Sequence, residues 1–372
     1  MGWSPTNPGG LNRYLYELVL QLRAAHQDRI ELCGVGLPLN HLEESIHLTN
    51  LASPDKQLPH RLWSVHRQFA QRQLHQPDVV NLHFALYSLP ILSQLPKNVP
   101  VIFNFHGPWA LESQLEGESR RSVWFKYWVE RQVYRRCDRF IVLSKAFGKI
   151  LHETYHVPWE KIVIIPGGVN TTHFQPTLTQ REAREKLGWH PDRKILFTPR
   201  RLVNRMGIEH LLTALVEVKQ QVPEVWLAIA GKGARRQILE QQVKELGLEQ
   251  QVQFLGYVPD EQLPLAYQAA DLTVVPSQGL EGFGLILAES LACGTPALCT
   301  PVGGMPEVIA PFCPDLVAEA ATTEAIADRL SYCLTGKIAL PSREACRHYA
   351  TTQFDWHTIS QRVRDVFLEP VA

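Results

Sequence analysis

The chain has 372 residues, which is more than one ordinary hydrophobic core accommodates, so we expect two domains of the α/β class. Lysine plus arginine and aspartate plus glutamate number 37 each, and this balance excludes a nucleic-acid partner recognised through bulk charge. The sequence contains neither an apolar run of 18 residues nor a secretory signal pattern, which predicts a cytoplasmic protein. Seven scattered cysteines without a C-x-x-C pair favour reduced thiols.

The amino-terminal segment begins with a loop rich in proline and glycine, residues 1–10, which ends at Gly10. Apolar residues at helical spacing follow, so the simplest interpretation of this loop is a turn that enters a helix. Residues 30–36 predict a strand, but its G-x-G pair lacks a third glycine and a following helix, which disfavours a nicotinamide dinucleotide site. Residues 40–60 are polar and contain proline, and we expect them to be irregular.

Two histidines follow predicted strands in the next segment. A helix predicted at 61–75 leads to a strand over 78–83 that ends at His83, and a second strand over 99–105 is followed by His106. A polar residue at the carboxyl end of a buried parallel strand lies where α/β sheets bind ligands. A lone histidine more often has a structural role, so position alone makes His106 and His83 no more than candidates for the site.

Residues 119–136 predict a helix that is both basic and aromatic, with six arginine or lysine residues against one glutamate. Such a composition is typical of a helix at a membrane interface, where aromatic side chains lie among the headgroups and basic ones on anionic lipid. It also fits an ordinary amphipathic helix packed on the sheet, so both interpretations stay open. A strand over 138–145 and the segment 162–170 complete the first domain, and the polar run 171–185 is predicted to be a linker.

The second domain is predicted to open with a strand over 195–198, followed by a segment with three arginines, 199–207. A strand over 225–230 then ends at Gly231, within a G-x-G turn. This turn alone is weak evidence for a phosphate loop, because a tight connection between a strand and a helix has the same sequence.

The stretch that carries the most chemistry is 277–289, which follows a short buried strand and opens a helix. Its glycines let the backbone turn tightly and leave the amide N–H groups of Gly282 to Leu285 uncovered. These amides lie at the positive end of the helix dipole, so the turn suits a phosphate or a diphosphate. Glu281 and Glu289 flank the turn, and Glu289 lies roughly 7 to 8 Å along the helix axis from the amides.

This stretch resembles the E-x7-E motif of the retaining glycosyltransferases of family four, also described as glycosyl transferases group 1. The resemblance implies that Glu281 contacts the donor sugar and that Glu289 contacts the nucleotide ribose. It also implies that the diphosphate is bound by the amides of Gly282, Phe283, Gly284 and Leu285.

The segment 199–207 is similar to the family pattern G-R-L-V-x-x-K-G, in which the arginine and the lysine neutralise the diphosphate. Arg201 falls on the arginine of this pattern, whereas Met206 occupies the position of the lysine. An apolar methionine cannot pair with a phosphate, whereas the guanidinium of the preceding Arg205 can. We therefore expect Arg201 and Arg205 to supply the two cations.

Further site residues follow from the same resemblance. It implies that His106 lies near the reacting sugar, and that the loop ending at Gly10 approaches the donor phosphates or the acceptor. Gly231 and Val258 are expected to outline the nucleotide pocket. The family places a buried strand ahead of the Gly10 loop, so we expect the start of this sequence to be late and its sheet to be less stable without that strand.

The resemblance spans nearly the whole chain and implies the GT-B fold, in which two Rossmann-like domains with parallel sheets face each other across a cleft. Residues 1–175 with a crossover helix at 356–372 are expected to form the acceptor-side domain, and residues 176–355 the nucleotide-sugar-binding domain. The implied activity moves a sugar from a nucleoside diphosphate sugar to a lipid or glycan acceptor with retention of configuration. The sequence contains no D-x-D segment and no cluster of histidine and carboxylate ligands, so we expect no metal or other cofactor. Peripheral contact with the inner face of the membrane would involve residues 119–136.

Two other functions are compatible with the same fold and anion site. A sugar-nucleotide epimerase of the GT-B type would need additional acid and base carboxylates, which the sequence does not identify. A catalytically silent nucleotide-sugar-binding protein would keep the pocket without turnover, and an assay of donor hydrolysis separates it from an enzyme.

Overall fold

The structure is a computed structural model, and it describes residues 10–37, 46–71 and 76–370. The predicted loop over residues 1–9 lies outside these ranges, as does the end of the helix predicted at 61–75. The chain divides into two compact units, each built around parallel strands.

The first unit holds the described residues up to Gly168 and from Trp356 onward. In chain order its elements up to that boundary are α1 (Gly10–His26), β1 (Ile30–Val35), β2 (Ile46–Ala52), α2 (Leu58–Gln71), β3 (Val80–Leu82), α3 (Ala85–Ser88), β4 (Val101–Phe105), α4 (Trp109–Leu115), α5 (Arg120–Tyr134), β5 (Arg139–Val142), α6 (Lys145–Tyr155) and β6 (Ile162–Ile164).

The second unit is Val169–Asp355. Its elements are α7 (Gln180–Leu187), β7 (Lys194–Pro199), α8 (Ile208–Gln221), β8 (Val225–Ala230), α9 (Arg236–Glu245), β9 (Val252–Gly256), α10 (Leu263–Ala269), β10 (Leu272–Val275), α11 (Leu285–Ala292), β11 (Ala297–Cys299), α12 (Met305–Ile309), α13 (Thr323–Leu334) and α14 (Arg343–Phe354). The last helix, α15 (Trp356–Leu368), belongs to the first unit. Among the described residues, every helix is too short or too polar to cross a lipid bilayer.

The strands of the first unit pair in parallel. β3, β4, β5 and β6 form one sheet in that order, and β1 pairs with β2 in a second sheet. Strand β4 is buried on both faces, because Phe103 and Phe105 pack with α5 and α6 while Ile102 packs with α1 and α15. Helices thus cover both faces of the sheet, as parallel sheets require. This second apolar face explains why α15 returns to the first unit.

One expectation for the first unit is wrong. Residues 40–60 were expected to be irregular, but Ile46–Ala52 form strand β2, whose pairing with β1 joins Ile46 to Ile30. The reason is the alternation of Ile46 and Leu48 with polar neighbours, which is a strand pattern even in a segment that is polar on average.

The polar run at 171–185 is also not the linker that its composition predicted. Phe174 is 2% exposed, and Thr179 and Glu182 form a reciprocal capping box that starts helix α7. The side chain of Thr179 accepts from the N–H of Glu182, and the carboxylate of Glu182 accepts from the N–H of Thr179. The polar residues therefore serve as a helix start signal.

The sheet of the second unit has the order β11-β10-β7-β8-β9, with all strands parallel. The chain moves outward from β7 through β8 to β9 and then returns to place β10 on the other side of β7. The strand order therefore reverses between β7 and β10. In open α/β sheets, ligands bind outside the carboxyl ends of the strands at this point of reversal. The loops that follow β7 and β10 meet there.

Candidate functional site

The loop between β10 and α11 contains most of the residues predicted for the site. β10 is fully buried, and α11 begins after Gly284, whose φ of 85° is a left-handed conformation that glycine adopts without strain. A Cβ atom at Gly303 would lie 1.9 Å from the carbonyl oxygen of Glu281, and the N–H of Gly304 donates to that oxygen at 2.9 Å. The glycines after β11 therefore hold the backbone of Glu281 in place.

The backbone N–H groups of Phe283, Gly284 and Leu285 have no hydrogen-bond acceptor within the described part of the chain. The ring of Phe283 is 3% exposed and packs edge-on against Phe354, with 5.4 Å between the ring centroids. Unpaired amides at the positive end of a helix dipole bind anions. The amides that the sequence predicts for a diphosphate are thus available for it.

The carboxylate of Glu281 lies between two arginines. Its Oε1 accepts a hydrogen bond from Nη2 of Arg200, and Nη1 of Arg205 lies 3.6 Å from the same oxygen. The hydroxyl of Ser277 donates to this oxygen at 3.4 Å. Glu281 is only 8% exposed, so these contacts form away from bulk water. Two cations and one anion give the cluster a net positive charge, which favours an anionic ligand.

The sequence pattern selected Arg201, but the neighbouring Arg200 makes the contact with Glu281. Arg200 is 8% exposed and donates to both Ser277 and Glu281, whereas Arg201 is exposed. Both faces of β7 are buried, so the burial pattern of the strand does not distinguish Arg200 from Arg201. The contact of Arg200 with Glu281 joins residues 81 positions apart, and no local signal in the sequence indicates it. Arg201 stays a predicted ligand of the diphosphate.

Arg205 lies in a single turn at Asn204–Met206 between β7 and α8. Its Nη1 donates to the carbonyl of Leu280 at 3.1 Å, and its own carbonyl accepts from the N–H of Gln278 at 2.8 Å. The neighbouring Met206 is 3% exposed and belongs to the core. Arg205, and not Met206, therefore presents a polar group to the loop that carries Glu281.

The second glutamate of the motif, Glu289, is held on α11 by a tyrosine. Glu289 is 5% exposed, and its Oε2 accepts a hydrogen bond of 2.8 Å from the hydroxyl of Tyr267, which is fully buried. This bond fixes the orientation of the carboxylate without neutralising its charge.

The two residues predicted for the nucleotide pocket follow β8 and β9. Gly231 has a φ of 148°, and a Cβ atom there would lie 1.9 Å from the carbonyl oxygen of Arg200. Glycine is therefore needed for the loop after β8 to approach the loop after β7. Val258 is partly buried, next to the exposed ring of Tyr257, and Nζ of Lys232 lies 5.3 Å from the centroid of that ring. Val258 stays a predicted contact.

In the first unit, His106 belongs to a chain of hydrogen bonds that includes His83. Nδ1 of His83 lies 2.9 Å from Nε2 of His106, and Nε2 of His83 lies 2.6 Å from Oδ1 of Asn81. Nδ2 of Asn81 donates to Oδ1 of Asn104 at 2.7 Å, and Nδ2 of Asn104 donates to the hydroxyl of Tyr14 at 3.1 Å. The two histidines at neighbouring strand ends are thus brought together.

Gly10 is exposed at the start of α1.

This chain of bonds determines which nitrogen of each histidine carries the proton. Nδ2 of Asn81 also donates to the carbonyl of Ile102 at 3.2 Å, so its Oδ1 is the acceptor for Nε2–H of His83. Neutral His83 then accepts at Nδ1, and His106 donates from Nε2 and keeps a lone pair on Nδ1. Burial lowers the pKa of His83 to about 3, and burial together with the adjacent His83 holds the pKa of His106 well below its usual range. Both rings are neutral at pH 7.

Two family models match consecutive parts of the chain. The model described as Glycosyltransferase Family 4 matches residues 8–173, and the model described as Glycosyl transferases group 1 matches residues 179–353. The GDP-mannose-dependent alpha-(1-6)-phosphatidylinositol monomannoside mannosyltransferase of Mycolicibacterium smegmatis is 30% identical over 54% of this chain and 55% of its own length. The chain spans about half the length of the first curated relatives that it matches, 40 to 58%.

Solved structures are similar over nearly all of the chain. Sucrose-phosphate synthase from Thermosynechococcus elongatus has a TM-score of 0.82 at 23% identity, covering 98% of this chain and 94% of that one. Anabaena HepE in complex with UDP-glucose has a TM-score of 0.76 at 19% identity, covering 97% and 96%. The fold is of the GT-B class, which confirms the prediction from the sequence. The chain belongs to the glycosyltransferases of family four, the glycosyl transferases group 1.

Proposed function

We propose that the protein transfers a glycosyl group from a nucleoside diphosphate sugar to a lipid or glycan acceptor with retention of the anomeric configuration. The observation that carries this proposal lies at the carboxyl ends of β7 and β10. There, the guanidinium groups of Arg200 and Arg205 meet Glu281, a few residues before the unpaired amides of α11. HepE is solved with UDP-glucose and the M. smegmatis relative is named GDP-mannose-dependent, so a diphosphate is what their ligands share.

The arrangement suits a reaction in which the bond between the sugar and the diphosphate breaks. Negative charge then develops on the leaving diphosphate, and fixed donors already aimed at that charge lower the barrier. We assign this role to Arg201, Arg205 and the amides of Phe283 to Leu285. This fixed positive charge supports a mechanism without a metal ion.

The two glutamates are assigned to the donor. Oε1 of Glu281 is occupied by Arg200 and Ser277, which leaves Oε2 to accept hydrogen bonds from hydroxyls of the donor sugar. Glu289, oriented by Tyr267, is assigned to the ribose hydroxyls. In the first unit, the lone pair on Nδ1 of His106 is assigned to a sugar hydroxyl, because the bond from Nε2 to His83 fixes that tautomer.

The proposal also covers the class of acceptor and the place of the protein in the cell. The M. smegmatis relative is named for phosphatidylinositol monomannoside, which is a lipid. On α5, Val129 and Val133 are fully buried against the sheet, while Trp124, Phe125 and Trp128 are 67, 40 and 41% exposed. Exposed aromatic side chains on a basic helix are typical of membrane interfaces. We therefore propose peripheral contact with the cytoplasmic face of a membrane through residues 119–136.

A panel of nucleotide sugars, screened for thermal stabilisation and then offered with lipid and glycan acceptors, tests the proposal. We expect one donor to yield a glycosylated product of unchanged anomeric configuration by NMR, with the same rate when a chelator is present, and no product from Glu281→Gln. A product of inverted configuration or an absolute requirement for a divalent metal would contradict the mechanism. Conversion of the donor to an epimer would indicate an epimerase, and binding without transfer or hydrolysis a silent binding protein.

A further inference from the structure

The first unit contains a basic pocket of about 220 Å³ at the carboxyl-terminal ends of α5 and α6. The buried part of its lining comprises three aromatic residues, Tyr134, Phe140 and Tyr155, together with Cys137 and Val157. The cations of its more exposed lining comprise Arg131, Arg135 and Lys161. The pocket is therefore aromatic inside and positively charged at its entrance.

This pocket is distinct from the candidate site of the first unit. Arg135 precedes β5, so the pocket lies at the amino ends of the parallel strands. His106 follows β4, which pairs in parallel with β5, and so it lies at the carboxyl ends. The two places are at opposite edges of one sheet, and a ligand in the pocket does not occupy the site of sugar transfer.

The cations that line the pocket have no carboxylate partner among the lining residues, and the buried carboxylate of Glu130 accepts instead from the hydroxyls of Tyr134 and Tyr155. In the described ranges, none of Arg131, Arg135 and Lys161 forms an ion pair. Arg131 instead lies over the ring of Tyr127, with 5.7 Å between its Cζ and the ring centroid. Three like charges around one small cavity repel one another, and an anion between them removes that repulsion. Phosphate matches the hydrogen-bond geometry of arginine guanidinium groups.

An exposed aromatic stripe on α5 leads to this pocket. Trp124, Trp128, Arg131 and Arg135 are spaced by four, three and four residues, so they lie on one face of the helix. Trp124 and Trp128 are 67% and 41% exposed, and Arg135 is exposed as well. At 1.5 Å per residue, Trp124 lies roughly 10 Å along the axis from Arg131. Aromatic groups and the basic pocket thus share one face.

We propose that this pocket binds the phosphate of an anionic phospholipid headgroup, with Trp124 and Trp128 at headgroup level beside it. The proposal rests on the membrane contact proposed above and adds the class of lipid and its binding site. The aromatic stripe favours a lipid over a free phosphate ion, because a dissolved ion makes no use of exposed indole rings. Each basic residue near an anionic membrane contributes about fivefold in affinity, so the three together contribute on the order of 100-fold.

Co-sedimentation with lipid vesicles tests the proposal. The full chain, the variant Arg131→Gln/Arg135→Gln/Lys161→Gln and the single variant Arg135→Glu are mixed with vesicles of phosphatidylcholine, with or without phosphatidylglycerol. A matched control, Arg181→Gln/Lys186→Gln/Lys244→Gln, removes the same charge from exposed positions of the second unit. We expect the wild type and the control to bind only vesicles with phosphatidylglycerol. The triple pocket variant should bind these vesicles on the order of 100-fold more weakly, and Arg135→Glu should also bind them more weakly than the wild type.

Several outcomes would overturn the proposal. If the pocket variants bind like the wild type, or the control loses as much affinity as the triple variant, attraction is diffuse and the pocket is not a lipid site. If inorganic phosphate stabilises the wild type but not the pocket variant while vesicle binding is equal, the ligand is a free anion. If the wild type binds none of the vesicles, the proposed membrane contact is wrong as well. An assay of glycosyl transfer to soluble acceptors then shows separately whether the proposed activity holds. Circular dichroism and the melting temperature verify that each variant is folded.

Discussion

At the scale of single residues, Arg200 is the side chain on which the candidate site depends most. Arg200 is 8% exposed, and its guanidinium donates hydrogen bonds to Glu281 and Ser277. Its Nε is buried and has no partner among the described residues. A buried donor without an acceptor costs about 1 to 3 kcal/mol. We expect a phosphate oxygen of the proposed donor to satisfy it.

We predict that Arg200→Gln lowers kcat/KM and weakens binding of the nucleoside diphosphate by about 10- to 150-fold. The physical reason is the loss of a charged hydrogen-bond donor, which contributes about 1.5 to 3 kcal/mol. Calorimetry with the nucleoside diphosphate and initial-rate kinetics with the donor identified by the panel measure the two effects.

Two further variants separate binding from stability. Arg181→Gln removes a charge from a side chain that is 82% exposed, and it should leave kcat/KM and the affinity for the nucleoside diphosphate unchanged. Arg200→Gln/Glu281→Gln replaces the buried ion pair by a neutral one, and it should recover stability without recovering activity. Unchanged nucleotide affinity in Arg200→Gln would mean that this arginine serves only to hold Glu281.

At the scale of secondary-structure elements, a buried carboxylate on α5 anchors the start of α4. Glu130 is 1% exposed and accepts from the N–H groups of Trp109 and Ala110 at 2.8 and 3.2 Å. It also accepts from the hydroxyls of Tyr155 and Tyr134 at 2.8 and 3.3 Å. Burial raises its pKa to about 7 in spite of these four donors. The segment that joins β4 to α4, which begins at His106, is fixed in this way.

We predict that Glu130→Gln destabilises the protein by about 1 to 3 kcal/mol at pH 8, because the NH2 group replaces a carboxylate oxygen and leaves a buried backbone N–H without an acceptor. Denaturant unfolding followed by tryptophan fluorescence measures the change. The control Glu153→Gln lies at an exposed position of α6 and should stay within about 0.5 kcal/mol of the wild type. Equal stability of Glu130→Gln and the wild type at this pH would show that the carboxylate does not hold α4.

Elements with a strong local pattern could be predicted, whereas elements stabilised by a distant partner or a short cap were missed. β4 is apolar on both faces and was predicted from that run alone. β2 depends on pairing with β1, and α7 depends on the exchange between Thr179 and Glu182, which spans four residues. Average polarity hides both signals, because it does not distinguish a loop from a helix start or from a strand that is partly exposed.

At the scale of the whole molecule, the class of fold and the anion turn before α11 could be predicted, because both rest on residues close in sequence. The choice between Arg200 and Arg201 could not, since it depends on Ser277 and Glu281, which lie 77 and 81 residues away. The pairing of His83 with His106 was missed for the same reason, since it joins the ends of two strands. Local spacing identifies candidates, and strand order decides which of them meet.

At the scale of the whole protein, three of these side chains contribute to the way its stability changes between pH 6 and pH 5. Burial keeps His83 and His106 neutral in the folded state well below pH 6.5, whereas the unfolded chain protonates both near that pH. Glu130 acts in the opposite direction, because the folded state binds its proton near pH 7 and the unfolded chain only near 4.5. Between about pH 4.5 and 6.5, the unfolded chain therefore binds two protons at the histidines that the folded chain does not bind. The folded chain binds one proton at Glu130 that the unfolded chain does not.

We predict that stability falls as the pH is lowered from 6 to 5, because the unfolded state then holds about one more proton than the folded state, a slope of up to about 1.4 kcal/mol per pH unit. Glu130→Gln removes the opposing proton and should steepen the slope to about twice that value, whereas His83→Gln should flatten it toward zero. Denaturant unfolding of the three proteins across this range measures the slopes. Equal slopes would mean that these groups do not titrate differently in the folded and unfolded chains, since each variant changes the proton difference by one in a known direction.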